Sequence, residues 1–272
     1  MSAIKNSIEK ELSRLSEKFS GRCSADVRAE ALDISFNGES YQYGMIHYPF
    51  GERKCFIKKS QEEYEDLQCT RNFWWQDKKS KDSVRRLKNN IEQGLQEANM
   101  LRVKELECLV HLSYSLPENY SVAEVGFRSP VILDYFLKNG SRKAIGYDVV
   151  DYNILLAREL KYEVYKSDIG SDDTAMDLSD IDVVMCYQVL EHVTNPLAAV
   201  RRIYDSMKSG SFFHVEIPIE PDVPRIEWGH LYPFHNGDIE EILKIAGFTL
   251  RYSTDHVWKD GPEVRRVFCK KE

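Results

Sequence analysis

Along the first part of the chain apolar residues recur at helical spacing: Ile4, Ile8, Leu12, Leu15 and Phe19 fall three and four apart and predict an amphipathic helix. Segments 31–36 and 41–48, joined by the turn-prone pair Asn37-Gly38, then predict a β-hairpin. A second helical stretch carries Val84, Leu87, Ile91 and Leu95, and the same spacing runs on through Val103, Leu106 and Val110. The pattern changes near Pro117–Ser121. Beyond it, short runs rich in Val and Ile predict strands over 122–127, 143–150, 163–169, 181–187 and 211–218. Helical stretches over 130–139, 152–162 and 196–207 lie between them, the last with Leu197, Val200, Ile203, Tyr204 and Met207 on one face. A final helix over 238–246 gathers Ile239, Ile242, Leu243 and Ala246 and stops at Gly247, which suits a C-terminal cap. Closing strands near 249–257 and 264–269 complete seven.

This alternation is the mark of an α/β protein with a mostly parallel, doubly wound sheet of seven strands and helices on both faces. It follows an N-terminal α+β extension, so the chain divides into 1–117, helices plus a hairpin, and 118–272. Composition agrees with a soluble globular protein: of 272 residues 42% are hydrophobic and 30% charged, with a mean hydropathy of -0.47. The N-terminus MSAIKNSIEKELSRL mixes charge with apolar residues, which fits neither a signal peptide nor a membrane span and implies a cytoplasmic protein with no membrane partner. A net charge of -7 and a pI near 5.6 give no general attraction to phosphate backbones, so nucleic acid is disfavoured. The cysteines Cys23, Cys55, Cys69, Cys108, Cys186 and Cys269 are scattered, with no CxxC pair and no Cys/His zinc spacing. They read as reduced thiols, and no metal site is expected. An oligomer is compatible with all of this.

In an open α/β sheet ligands bind beyond the carboxyl ends of the strands, at the switch point beside the first one. That strand ends Ala123-Glu124-Val125-Gly126-Phe127-Arg128-Ser129-Pro130. Gly126 is expected to let backbone approach a ligand, Ser129 to cap the next helix and Pro130 to open it. Asp148 ends the second strand, a little beyond the spacing of about 20 residues that nucleotide-binding units use, where a carboxylate accepts from both hydroxyls of a ribose. Asp168 puts a third carboxylate at the end of the third strand. Each acid has a commoner role as a helix cap or solvated loop residue, and three in register at successive strand ends carry more weight than any one.

The fourth strand, Asp182-Val183-Val184-Met185-Cys186-Tyr187-Gln188-Val189-Leu190-Glu191-His192-Val193, is followed by Asn195-Pro196 and a helix closing with Lys208-Ser209-Gly210. From Ser121 to Phe248 the chain resembles the class I, Rossmann-like S-adenosylmethionine-dependent methyltransferases, whose corresponding region reads D-V-hydrophobic-x-x-x-V-L-E-H-V-x-x-P. The resemblance implies strand order 3-2-1-4-5-7-6 with the last strand antiparallel, S-adenosylmethionine as cofactor and residues 118–272 as the unit that binds it. Carried over residue by residue, it sets Glu124 and Gly126 against the methionine end of the cofactor, Asp148 at the ribose, Asp168 and Ile169 at adenine, and Tyr187 and Gln188 in the segment after strand four. The family's glycine-rich turn departs here, with Arg128 and Pro130 standing where its second and third glycines belong.

For the transfer itself a base is needed only if the acceptor must lose a proton. His192 lies nearest, and its alternative role is to hydrogen-bond backbone at a helix start. His230 and His235 come next, in a loop over 219–237 that also holds Glu220, Arg225, Glu227, Trp228 and Tyr232. His214, inside the fifth strand, reads as a buried, satisfied histidine. Phe73-Trp74-Trp75 forms either part of a lid over the acceptor or packing between extension and domain. The expected activity is O- or N-methylation of a small molecule or sugar. The rival readings are a non-catalytic binding or partner subunit, and a nucleic-acid or protein methyltransferase. Against nucleic acid, Cys186-Tyr187-Gln188-Val189 lacks the Asp/Asn-Pro-Pro-Tyr/Phe of adenine-amino enzymes, and no Pro-Cys nucleophile is present.

Overall fold

The computed structural model describes residues 28–36, 39–48, 51–56, 85, 88–89, 91–113, 116–171, 176–220, 229–258 and 263–272. The expected helix over 4–19, the pair Asn37-Gly38, the Phe73-Trp74-Trp75 run and loop residues Arg225, Glu227 and Trp228 lie outside them.

Near the N-terminus β1 (Arg28–Phe36) and β2 (Glu39–Tyr48) pair antiparallel, with Phe36 opposite Glu39, as the hairpin expectation requires. A third strand, β3 (Gly51–Phe56), extends the hairpin to a three-stranded sheet; its sequence, Gly-Glu-Arg-Lys-Cys-Phe, has no alternating pattern to announce it. The second helical stretch is not continuous. Gly94 takes a left-handed φ of 78° and breaks the ladder, and α1 starts afresh at Glu97–Ser113.

The main sheet holds β4 (Val122–Val125), β5 (Ala144–Asp148), β6 (Glu163–Lys166), β7 (Val183–Tyr187), β8 (Phe212–Pro218), β9 (Thr249–Val257) and β10 (Glu263–Lys270). Their spatial order is β6-β5-β4-β7-β8-β10-β9, which is the expected 3-2-1-4-5-7-6. Pairings are parallel from β6 through β8, and β10 runs antiparallel to both β8 and β9. The chain winds outward from β4 in one direction and from β7 in the other, so the switch point lies between those two strands.

Helices α2 (Val131–Lys138), α3 (Asp151–Glu159), α4 (Pro196–Ser206) and α5 (Asp238–Ala246) link the strands. One face of the sheet is covered by α4 and α5, whose Leu197, Val200, Ile203, Ile239 and Leu243 cluster with Val184, Phe213, Val215 and Ile217. Each such side chain contributes about 1.5–3 kcal/mol on burial. The other face is covered by α1, α2 and α3 through Val103, Leu106, Val110, Leu133, Phe136 and Ile154. Thus α1, which the sequence pattern puts in the extension, is a layer of the sandwich.

The local signals at helix ends are partly as expected. Asn195 accepts from the Ala198 amide with Pro196 in the first turn of α4, and Gly247 closes α5 at a φ of 109°. Ser129 does not cap α2: Pro130 occupies the cap position, and the buried Ser129 hydroxyl has no hydrogen-bond partner among the described residues.

Candidate active site

The carboxyl ends of β4, β5 and β6 form one half of a rim. Glu124 points its side chain into the interior: it is buried, Oε2 has no hydrogen-bond partner among the described residues, and burial holds its carboxyl well above the usual carboxylate range. Gly126 follows at a φ of 75°, and a Cβ there would collide with Cγ2 of Val189. The glycine is therefore required by a contact with the turn after β7, where the sequence reading assigned it to ligand approach. Asp148 is buried as well. Its Oδ2 accepts from the Arg128 amide and its Oδ1 from the Val150 amide, each at 2.8 Å. Burial raises its carboxyl, while these amides and the Asn153 side chain pull it back. A carboxylate that secures its own loop in this way offers a ribose less than the two free oxygens expected from sequence. Asp168 is half-buried and accepts from the Gly170 amide at 2.8 Å, with buried Ile169 beside it.

Arg128 answers the departure from the glycine pattern. Its φ of 45° is the left-handed conformation a glycine would take, its amide is tied to Asp148, and its side chain is exposed. The turn keeps its path without the second glycine.

The other half of the rim follows β7 and β8. Gln188 has a φ of 56° and is held by Glu216 twice, through its amide at 2.9 Å and its side-chain nitrogen at 3.2 Å. Tyr187 turns instead toward the α1 face, where its hydroxyl meets Nδ1 of His214 at 2.8 Å. A single 3-10 turn, Leu190–His192, then carries Glu191 and His192. The loop after β8 folds back on this turn, since the amides of Leu231 and Tyr232 both donate to the Glu191 carbonyl, at 2.7 and 3.1 Å. That closure brings His230 against His192, with ring centroids 5.0 Å apart and nearly perpendicular planes. The Nδ1 of His192 lies 2.9 Å from the Gly229 carbonyl, and the Nδ1 of His230 lies 2.6 Å from Oε1 of Glu220. Carbonyl and carboxylate both accept, so each ring carries its proton on Nδ1 and its lone pair on Nε2. His235 stands apart, its amide donating to Asp238 at 3.0 Å at the start of α5.

Two features here escape a reading of the sequence. Glu191 is fully buried, and neither carboxylate oxygen has a hydrogen-bond partner among the described residues. Burial first, then the nearby Glu220 and Glu216 carboxylates, holds it well above the carboxylate range. Beneath it runs a buried charge network. Arg102 of α1 bonds to Glu216, Arg266 of β10 lies 3.6 Å from Glu216 and 3.3 Å from Glu105, and Glu105 meets Nε2 of His214 at 3.3 Å. His214 is thus buried and engaged at both ring nitrogens, as its place inside a strand implied. The signal for this network was present in the sequence: His214 and Glu216 share a strand face, and Arg102 and Glu105 lie one helical turn apart.

The family model described as a methyltransferase domain matches residues 102–253. The chain belongs to that family. It is accordingly an S-adenosylmethionine-dependent methyltransferase, and the family match begins inside α1, the helix that completes the sandwich. Among solved structures, the 1,6-didemethyltoxoflavin-N1-methyltransferase of Burkholderia thailandensis, solved with 1,6-didemethyltoxoflavin and S-adenosylhomocysteine bound, superposes with a TM-score of 0.54 at 15% identity, covering 89% of this chain and 99% of that one. A methyltransferase of Bacillus halodurans C-125 gives 0.50 at 16% identity over 62% of this chain and 99% of its own. No curated protein matches the sequence. The residues of the rim are compatible with that cofactor: a glycine turn of positive φ, a buried Glu124 whose Oε2 lacks a partner among the described residues, and acids at three successive strand ends running out from the switch point. Among the described residues no helix is long and apolar enough to cross a membrane.

Proposed function

We propose that this methyltransferase acts on a small-molecule acceptor, a sugar among the candidates, and methylates an oxygen or nitrogen. The observation that carries this is the enclosure of the rim after β7. The loop residues Leu231, Tyr232 and Phe234 are buried, the loop is bonded onto residue 191, and the three-stranded sheet reaches the same place. Tyr48 of β2 meets the Tyr232 ring at a centroid distance of 6.1 Å, and Arg53 of β3 grips Asp238 at 2.7 and 2.5 Å. In this reading the extension 1–117, apart from α1, covers the acceptor side and 118–272 holds the cofactor. The negative net charge disfavours a nucleic-acid acceptor. The Burkholderia neighbour, a 1,6-didemethyltoxoflavin-N1-methyltransferase solved with 1,6-didemethyltoxoflavin bound, covers 89% of this chain and supports the choice.

When bound, S-adenosylmethionine supplies a methyl group on a cationic sulfur, open to in-line displacement. The chain's own residues bind and orient around it. The bare oxygen of Glu124 receives the ammonium of the methionine end, Asp148 and Asp168 with Ile169 hold ribose and adenine, and Gln188 shapes the floor near the methyl group. His192, its Nδ1–H fixed on the Gly229 carbonyl, would take the acceptor's proton on Nε2. His230 is held in the same way by Glu220 and is the second base candidate; His235 is the third. The folded-back loop keeps water from the displacement.

The test is label transfer from S-adenosylmethionine carrying a tritiated methyl group, offered with the low-mass, protein and nucleic-acid fractions of a cell extract. Label is expected in the low-mass fraction alone. His192→Ala should lower that rate by roughly 10²–10⁴-fold while leaving cofactor affinity intact. Label in nucleic acid or protein overturns the assignment.

A further inference from the structure

Glu191, His192 and His230 each offer a ligand atom, and these atoms all lie within 4.8 Å of one another. We propose that the three side chains form a binding site for a divalent transition-metal ion at the acceptor end of the rim. The inference rests on the acceptor-side reading above and deepens it: the Nε2 lone pair of His192 cannot bind an ion and take a proton at once, so with the ion bound the ion itself, acting as a Lewis acid on the acceptor, replaces the histidine base.

Three independent features point to a cation. First, the carboxylate of Glu191 is fully buried with both oxygens lacking a hydrogen-bond partner among the described residues, a costly arrangement that an ion would relieve. Second, both imidazoles are oriented as metal ligands are. Each donates Nδ1–H to an oxygen, one to the Gly229 carbonyl and one to the Glu220 carboxylate, which fixes the tautomer of the neutral ring and sets its ligand atom at Nε2, and that of His192 lies on the Glu191 side. Third, the loop carrying His230 is anchored to the turn carrying His192 by two main-chain hydrogen bonds on Glu191 itself, so the convergence is built into the backbone.

Two imidazoles and one carboxylate suit Mn²⁺, Fe²⁺, Co²⁺ or Zn²⁺ better than Ca²⁺ or Mg²⁺, which prefer all-oxygen shells. Three protein ligands also leave coordination positions open, as in sites that receive a substrate. Nε2 of His192 lies 3.9 Å from Oε1 of Glu191. Ligands about 2.1 Å from one tetrahedral ion lie about 3.4 Å apart, so binding requires only a small contraction.

The experiment uses the full chain stripped with a chelator, titrated calorimetrically with Zn²⁺ and Mn²⁺ and spectroscopically with Co²⁺, alongside a titration with S-adenosylhomocysteine. One ion per chain is expected, with Co²⁺ bands of mixed nitrogen and oxygen ligation. Glu191→Gln and His230→Gln should each weaken the metal more than 100-fold, and Glu220→Gln by 10–100-fold, as for an outer partner. If Glu191→Gln fails to fold, His230→Gln and Glu220→Gln decide the matter. A wild type that takes up no stoichiometric ion, or variants that bind it as tightly as the wild type, overturn the proposal. Binding of S-adenosylhomocysteine by the stripped protein separates the two readings: if it persists while no ion binds, the metal site alone is wrong.

Discussion

The two halves of the rim are built by different means. On the β4–β5–β6 side, Asp148 and Asp168 are tied to amides a few residues away or in the adjacent turn, so the main chain supplies their partners. On the β7–β8 side the partners come from afar: Arg102 reaches Glu216, His230 reaches His192, and Arg266 and Glu105 close the network from a strand and a helix at opposite ends of the sequence. The first half is a local construction that a chain can specify by motif. The second is an agreement among distant side chains, and it holds Glu191, both of whose buried oxygens lack a hydrogen-bond partner among the described residues.

The largest effect should come from breaking that distant agreement. Arg102→Ala removes the main cationic partner of Glu216 in a dry interior and leaves it the Gln188 side chain and the more distant Arg266, and the loss of one partner of a buried ion pair costs about 3–5 kcal/mol. Chemical denaturation should show this as a lowered midpoint with little change in slope, while the variant that remains folded still binds S-adenosylhomocysteine. A cost below about 1 kcal/mol would mean that the charge network does not hold the acceptor half together.

On the local side, Asp148→Ala should reverse the pattern, with affinity suffering more than stability. Each charge-assisted bond to a ribose hydroxyl contributes about 1.5–3 kcal/mol, so affinity for S-adenosylmethionine should fall at least tenfold in calorimetry. Freed amides at Arg128 and Val150 will loosen the glycine turn and add to the loss. Unchanged affinity in a folded variant would remove Asp148 from the cofactor site.

The smallest effect concerns the opposite end of the sheet, which serves both halves equally. Burial alone would raise the carboxyl of Asp182, but Lys208, Ser121 and Arg142 together hold it down at about 2, below the ordinary value of 3.8. Because the folded value is depressed, the stability it contributes is present above pH 3.8 and is lost as pH falls toward 2. Asp182→Asn should cost on the order of 1 kcal/mol at neutral pH and flatten the fall of melting temperature across that acid window. An equally steep fall in the variant would assign the acid sensitivity elsewhere.

This division also explains what could be read from the chain. The strands and helices of the sheet and the rim acids follow from periodicity and motif, because each depends on neighbours within a turn or a strand, while the strand order came only with the family resemblance. β3 escaped since Gly-Glu-Arg-Lys-Cys-Phe, at the edge of a small sheet, carries no apolar alternation. The joining of Glu191, His192 and His230 escaped because nothing near residue 191 announces a loop nearly 40 residues later in the chain. Ser129 misled because Pro130 took the cap position.

The contact between Gly126 and Val189 couples the two halves. With no Cβ between them, the turn after β4 leans directly on the turn that leads to Glu191 and His192. A cofactor that settles against the first turn would therefore press on the second through the Val189 side chain alone. The arrival of one substrate would then be registered mechanically at the seat of the other, and the two turns would have to drift together or not at all as the sequence varies.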